Sequence, residues 1–451
     1  MEIKEGIFRQ YDIRGIADKE LGSDVVRAIG RAYATVARGE GLSKIAVGRD
    51  VRLSSPRIQS ALIEGLTAGG CDVLDIGEVP TPLLYYAVFS MDLDGGIMVT
   101  GSHNPVEYNG LKMMKGKQAL FGDAIKELYR MAISENWTSG SGSVERVEIV
   151  PRYAEEVLSK VKLAKPLYVI VDPGNGTAGP VAVPLLERLG CRVECIFCEP
   201  DGRFPHHLPD PTVPEYMESL CRIVVERGAD LGIGYDGDAD RVGIVDEKGN
   251  MVYGDKLLAL LAGDLLSRHP GAKVIFDVKC SQGVVEYIEQ KGGVPVMWKT
   301  GHSLIKAKMK EEGALLAGEM SGHLFVGENY YGFDDAIFAS LRLVGVFAQE
   351  GRPVSSVVSD VPDYCSTPEI RVQSTDEDKF RIVKEVGDFF RGQYPVIDID
   401  GVRILFEGGW GLVRASNTQP VLVLRFEARS KDRLEEIKKE VMTKLRELGV
   451  G

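Results

Sequence analysis

The segment DLGIGYDGDADRVGIVDEKG, Asp230 to Gly249, reads in two incompatible ways, and the choice between them sets the architecture of the chain. Gly232, Gly234 and Gly237 satisfy G-x-G-x-x-G, the dinucleotide-binding fingerprint. That fingerprint works only where a helix begins at the glycines, so that its N-terminus meets a pyrophosphate. Here the glycines lead into DADR and then into VGIVD, an apolar run of strand length closed by a turn. The dinucleotide reading fails on that context. The segment is instead a strand, an acidic loop and a returning strand. Asp236, Asp238 and Asp240 alternate with the small residues Gly237 and Ala239. Three hard oxygen donors crowded at a strand end repel one another unless a cation sits among them, and such a donor set suits Mg²⁺. A solvated acidic loop has the same composition, but not apolar strands on both sides.

Working outward from this loop, extended apolar runs alternate with helical ones, the signature of βαβ units in parallel or mixed sheets. In the N-terminal part KIAVGRD, DVLDIGE and GGIMVTGSH read as strands, SSPRIQSALIEGLTAGG as a helix opened by a serine cap, and NWTSGSGS as a linker. A second unit begins at LYVIVDPGNG and ends with the acidic loop; a third alternates AKVIFDVK, VPVMWK and ALLAGEM with helices. The last ninety or so residues differ, with a charged helical run, three strands and a closing amphipathic helix, KDRLEEIKKEVMTKLRELG. The fold expected is α/β: three similar domains with mixed sheets over residues 1–148, 149–250 and 251–362, then an α+β domain over 363–451 with helices on one face of an antiparallel sheet.

Bulk properties narrow the function. The 451 residues are 44% apolar and 27% charged, and the net charge of -12 argues against a nucleic-acid or anionic-membrane partner, which needs a basic surface. No stretch reads as a signal peptide or a membrane span, so a cytoplasmic protein is expected. Seven cysteines without framework spacing agree with a reducing compartment. Cys195 and Cys198 form a lone C-x-x-C in a strand-like run, where positions three apart point to opposite faces, so buried or half-buried thiols are expected rather than joint metal ligands or a redox pair.

Three further loops carry chemistry. TGSHNP (Thr100–Pro105) follows an apolar strand and marks a tight, exposed loop that offers Ser102 as a nucleophile or phosphate carrier; a capped turn would look the same. GEMSGH (Gly318–His323) alternates Glu319, Ser321 and His323, which in an extended segment emerge on one face and can bind sugar hydroxyls; KTGHS (Lys299–Ser303) lies upstream. Three of the six histidines, His103, His302 and His323, fall in these polar motifs. RASNTQP (Arg414–Pro420), with Arg425 beyond it, gathers a guanidinium and several hydroxyl or amide donors, a set that suits a phosphate clamp.

These four motifs, in this order and one to a domain, resemble the α-D-phosphohexomutase family, in its phosphomannomutase/phosphoglucomutase branch. YDIRG near the N-terminus, VDPGNG and DGRFPHHLPDP extend the resemblance over the whole chain. It implies four domains around one central cleft, the fourth similar to the TATA-binding-protein fold. It also implies that Ser102 is the phosphoserine, that Asp236, Asp238 and Asp240 hold Mg²⁺ together with the Ser102 phosphate, and that Lys112, in YNGLK, is a general acid/base. Arg14, His103 and Arg241 would line the reaction centre. Lys279, Thr300, Gly301 and His302 would surround the substrate, Glu319, Ser321 and His323 would read its hydroxyls, and Arg414, Ser416, Asn417, Thr418 and Arg425 would bind its phosphate. Ala239, HHLPDP and Gln419 depart from the commoner family wording without removing a catalytic charge.

The activity so implied is exchange between hexose 1-phosphate and hexose 6-phosphate, with glucose or mannose 1,6-bisphosphate as activator and a monomer or small homo-oligomer as the working form. Lys112 would accept the substrate's proton if neighbouring cations depress its pKa. A phosphoglucosamine mutase is the nearest alternative, although Met320 stands where such enzymes usually have Gln. A metal-dependent phosphatase would gain nothing from a distal clamp, and a non-catalytic sensor would be expected to have lost Ser102 or a ligand aspartate.

Overall fold

The computed structural model describes residues 2–375, 377–416 and 420–450. In the first domain the sheet runs in the order Ile13–Ile16, Tyr108–Lys115, Gly95–Val99, Lys44–Arg49, Asp72–Glu78, Val144–Arg146. Lys44–Arg49 pairs parallel with both its neighbours, while Tyr108–Lys115 runs antiparallel to Gly95–Val99 and to Ile13–Ile16, so the sheet is mixed. Every residue of Gly95–Val99 is buried, as a strand covered on both faces requires. Alternation sends Ile97 and Val99 to the face packed by Ile29 and Leu62 of the helices Ser23–Gly39 and Ser55–Ala68. Met98 goes to the other face, against Leu84 and Val88 of the helix Thr81–Ser90.

The second sheet has the order Met251–Val252, Val242–Asp246, Leu231–Tyr235, Tyr168–Asp172, Arg192–Cys195, and the third the order Val294–Trp298, Lys273–Asp277, Leu316–Gly318, Leu324–Val326. Both are mixed, and in each the antiparallel hairpin carries a polar turn toward the centre of the molecule. One apolar core joins the first three domains, bringing Leu84 and Tyr86 together with Tyr153, Val181, Leu257 and Phe338. Across it Tyr153 Oη donates to Asp335 (2.9 Å) and Tyr235 Oη meets Ser340 Oγ (2.6 Å). The fourth domain has its own core: an antiparallel sheet packs one face against the helices Asp378–Arg391 and Lys431–Glu447 through Ile404, Val413 and Leu424 on the strands and Ile382, Val386, Ile437 and Val441 on the helices. The three α/β units, the mixed sheets and the α+β end agree with the expected fold class.

Local readings needed correction at three points. Ser54 does not cap its helix; its hydroxyl accepts from Asn109 Nδ2 (2.8 Å), and Ser55 Oγ donates to Asp50 instead. The segment 136–143 is docked rather than free. A Cβ at Gly142 would fall 1.8 Å from Cys71 O, so only glycine can lie this close, and the chain then adds the strand Val144–Arg146. Cys195 and Cys198 form a disulfide. The strand ends at Cys195 and the backbone reverses through Phe197 at φ 55°, so the opposite-face argument does not reach Cys198. No described helix is long and apolar enough to cross a membrane.

Candidate active site

Ser102 sits at the C-terminal end of the central strand Gly95–Val99, in the left-handed region at φ 49°. It is buried, not exposed as the loop composition suggests. The acidic loop of the second domain covers it: Ser102 Oγ donates to Asp236 Oδ2 (2.6 Å), and His103 Nδ1 lies 2.9 Å from the same oxygen. Burial first, and then the nearby Arg241, hold the pKa of His103 well below the ordinary value, so the ring is neutral at pH 7. Arg14, held by Asp12 (2.6 Å), reaches the carbonyl of Gly101 (3.5 Å).

Asp236, Asp238 and Asp240 are all buried, and each offers a carboxylate oxygen within 4.8 Å of the others. Among the described residues Asp238 Oδ1 and Asp240 Oδ1 are buried with no hydrogen-bond partner. An all-oxygen set with two orphaned carboxylate oxygens fits Mg²⁺. The carboxyl of Asp236 is pushed well above its usual range by burial and by Asp240 and Asp238, the electrostatic cost that a cation would remove. Thr81 Oγ1 donates to Asp238, fixing its orientation.

Lys112 lies on the strand Tyr108–Lys115, antiparallel to the strand that delivers Ser102. Its Nζ donates to Asp238 Oδ2 (2.7 Å) and to Asp240 Oδ2. Burial works against the charge, but the two carboxylates outweigh it and push the pKa up. The expected depression by cations is therefore corrected: the groups that surround this ammonium are anions.

In the third domain Glu319 and His323 flank the turn of the hairpin between Leu316–Gly318 and Leu324–Val326, so the extended, one-face arrangement does not form. Glu319 N–H instead donates to His323 O (2.8 Å), closing the turn, with Ser321 half-buried at its tip. Glu319 Oε1 accepts from Gly301 N–H (2.5 Å); Thr300 Oγ1 donates to Asp277 (3.0 Å), and Tyr11 Oη donates to Thr300 O (3.0 Å). Gly301 has φ 133°, and a Cβ there would fall 2.7 Å from the Tyr11 ring, so glycine is required. Arg241 Nε donates to His323 Nε2 (3.0 Å), and a ring whose Nε2 accepts carries its proton on Nδ1. That nitrogen lies 3.4 Å from Asp334 Oδ2, which also faces His302 Nδ1 (3.4 Å), while Lys306 balances the other Asp334 oxygen (2.6 Å). Burial and Lys306 lower the His302 pKa to about 4.

The fourth domain closes the cleft. Arg414, on the strand Gly409–Ala415, donates through Nε to Asp400 Oδ2 (2.7 Å), which also accepts Thr300 N–H (3.0 Å). Arg425 donates to Lys279 O (2.6 Å) and touches Met320 Sδ. Lys279 Nζ lies between Asp277 (3.8 Å) and Glu369 (3.4 Å). Ser416 is buried, and its carbonyl accepts from Lys379 Nζ (2.8 Å). Asn417 and Thr418 lie outside the described residues. One cleft thus collects a buried serine, a carboxylate triad and cations from all four domains.

Four family descriptions match this chain in order: phosphoglucomutase/phosphomannomutase alpha/beta/alpha domain I over residues 5–138, domain II over 151–249, domain III over 253–364 and the C-terminal domain over 369–444. The chain belongs to the phosphoglucomutase/phosphomannomutase family. Among curated relatives in this family, the phosphomannomutase/phosphoglucomutase of Pseudomonas putida is 49% identical over 98% of this chain and 96% of its own. The phosphoglucomutase of Neisseria gonorrhoeae is 44% identical over 96% and 95%. A crystal structure of a phosphoglucomutase/phosphomannomutase family protein from Burkholderia thailandensis superposes with a TM-score of 0.93 at 42% identity, covering 99% of this chain and 98% of that one.

Several residues of this mutase site escaped the motif reading. Asp334 follows a Tyr/Gly-rich turn, Thr81 opens a helix in the first domain, and Asp50 and Arg52 follow the strand Lys44–Arg49 in it. Only for GRDVR, a charged pair at a strand end beside helix-capping serines, did the sequence hold a local signal.

Proposed function

We propose that this mutase interconverts hexose 1-phosphates and hexose 6-phosphates, of glucose and mannose, by lending a phosphoryl group from Ser102 and taking another back. The observation that carries the reading is the 2.6 Å bond from Ser102 Oγ to Asp236 Oδ2, which joins the serine to an otherwise self-repelling carboxylate triad. In the first transfer the bond from phosphorus to Ser102 Oγ breaks, a bond to the free sugar hydroxyl forms, and that hydroxyl gives up its proton. The departing Ser102 oxygen takes a proton, and His103 Nδ1 lies 2.9 Å from it. Lys112, held charged by Asp238 and Asp240, is the acid that protonates the departing Ser102 oxygen, neutral His103 takes up the proton of the sugar hydroxyl, and the two exchange these roles in the return direction. Bound Mg²⁺ would neutralise charge on the transferring phosphoryl group and relieve the crowding of Asp236, Asp238 and Asp240.

The hexose 1,6-bisphosphate then turns over and presents its other phosphate to Ser102, while Arg414, Arg425 and Lys279 hold the phosphate that is not reacting. Glu319 and Ser321, with His323 in the same turn, read the sugar hydroxyls. A free 1,6-bisphosphate would act as activator by recharging Ser102. A coupled assay with glucose 1-phosphate, mannose 1-phosphate and glucosamine 1-phosphate at matched concentrations tests the substrate range. Turnover of the first two, lost in Ser102→Ala, supports the reading. Preference for the amino sugar would overturn the choice of substrate, and normal turnover by Ser102→Ala would overturn the mechanism.

A further inference from the structure

Arg52 is one of the largest fully buried side chains in the protein, at 1% exposure, and among the described residues its hydrogen bonds and ion pair go to the Ser102 loop and Asp50 rather than to the acidic triad. Its guanidinium is spent on the inner side of the Ser102 loop. Nη2 donates to the carbonyls of Ser102 (2.8 Å) and Asn104 (2.5 Å), and Nη1 to those of Pro105 (2.6 Å) and Tyr108 (2.9 Å). Four main-chain carbonyls thus converge on one planar fork. Asp50, two residues earlier, completes the support. Its Oδ2 accepts Gly101 N–H (2.9 Å) and lies 3.4 Å from Arg52 Nε, while its Oδ1 accepts Arg52 N–H (3.0 Å).

The fit leaves no slack. A Cβ at Gly101 would stand 2.3 Å from Arg52 Nε, so the residue before the serine has to be glycine. From behind, the Phe204 ring lies 5.2 Å from the guanidinium, and a Cβ at Gly202 would meet Val51 O at 2.3 Å, so the second domain is pressed against the same turn. Ser102 itself is in the left-handed region at φ 49°, a conformation that a serine adopts at a cost unless its surroundings impose it. The carbonyl of Ser102, drawn onto Arg52, supplies that constraint on its C-terminal side, and its N–H, bonded to Thr100 Oγ1 (2.9 Å), supplies it on the other.

We propose that Arg52 is a positioning residue of phosphoryl transfer: by gathering the carbonyls of Ser102, Asn104, Pro105 and Tyr108 it imposes the backbone conformation that presents the Ser102 oxygen to the acidic triad. The inference rests on the reading of Ser102 as the phosphoryl carrier. A lysine at position 52 keeps the charge but not the planar fork, and a point-like ammonium cannot span four carbonyls. Displacement of reacting atoms by about 1 Å can slow a reaction roughly a hundredfold. On the proposed reading the non-reacting phosphate is held by Lys279, Arg414 and Arg425, of the third and fourth domains, so its binding does not depend on this loop.

The test compares wild type, Arg52→Lys and Arg52→Ala. Intact mass first establishes how much phosphate each carries on Ser102 after treatment with glucose 1,6-bisphosphate. Single-turnover transfer to glucose 1-phosphate and steady-state KM follow, with a thermal melt of each variant as a control. Expected are a roughly hundredfold slower transfer in Arg52→Lys with KM within about twofold of wild type, and partial recovery of Arg52→Ala by millimolar guanidinium but not by ammonium. If Arg52→Ala fails to fold, Arg52→Lys decides the matter alone. Transfer by phosphorylated Arg52→Lys within about threefold of wild type would overturn this inference and leave the phosphoserine reading standing. Wild type that takes no phosphate on Ser102 would overturn both.

Discussion

Replacing Lys112 by methionine removes a charge and keeps most of the volume, and the structure gives opposite expectations for stability and metal affinity. Lys112 Nζ is bonded to Asp238 and Asp240, and all three side chains are at most 7% exposed. Removing one partner of such a buried pair costs about 3–5 kcal/mol, because the remaining charge has neither water nor a counterion. In excess chelator, Lys112→Met is therefore expected to be less stable than wild type by about that amount, measured by chemical denaturation. The same substitution removes the cation closest to the acidic loop. Mg²⁺ no longer meets a resident ammonium, and every 1.4 kcal/mol of relieved repulsion is about tenfold in Kd. Calorimetric titration should find tighter Mg²⁺ binding in the variant, and saturating Mg²⁺ should restore much of its lost stability while the mutase reaction stays severely impaired. Weaker Mg²⁺ binding, or equal stabilisation of both proteins by Mg²⁺, would refute the view that ammonium and metal share these carboxylates.

Arg414→Ala should weaken hexose 1-phosphate and hexose 6-phosphate by similar factors, about tenfold or more for loss of a charge-assisted contact worth roughly 1.5–3 kcal/mol; kcat/KM in both directions checks this, and a one-sided defect would remove the shared clamp. Asp335 caps the helix Ala336–Glu350, and burial raises its carboxyl from 3.8 to about 6 against the opposing bonds from Phe338 N–H, Tyr330 and Tyr153. Because the folded value lies above the unfolded one, this group stabilises below about pH 4 and loses that contribution as pH rises through about 6. Asp335→Asn keeps the cap, so denaturation at pH 4.5 and 8 should show the variant gaining on wild type by about 2 kcal/mol between them; equal pH profiles would contradict the shift. Gly101→Ala should slow phosphoryl transfer strongly, because its Cβ would strike the Arg52 side chain, whereas an alanine at Gly39, where no atom lies within 4 Å, should leave activity unchanged.

The sequence made the acidic loop and its flanking strands legible because their signals are local: alternation, chain reversal and the crowding of like charges fall within twenty residues. The three α/β units and the α+β end followed from the same kind of pattern. What escaped depends on partners far away in the chain. The burial of Ser102 comes from Asp236, 134 residues on, and the charge of Lys112 from Asp238, 126 residues on. The alternation of Glu319, Ser321 and His323 looked like a strand because periodicity alone does not distinguish a strand from the turn of a short hairpin, and here Gly322, at φ 90°, bends the chain. Arg52 was hidden for a further reason: its partners are all carbonyls, which every residue carries, so no side-chain motif announces them.

The proposal that Ser102 carries the phosphoryl group is tested most directly by mass. Protein incubated with glucose 1,6-bisphosphate and Mg²⁺ should gain the mass of one phosphoryl group, localised by peptide mapping to the segment containing Ser102. Subsequent addition of glucose 1-phosphate should move the group to the sugar within a single turnover. Phosphate on a different residue, or phosphate on Ser102 that no hexose phosphate can remove, would contradict the mechanism.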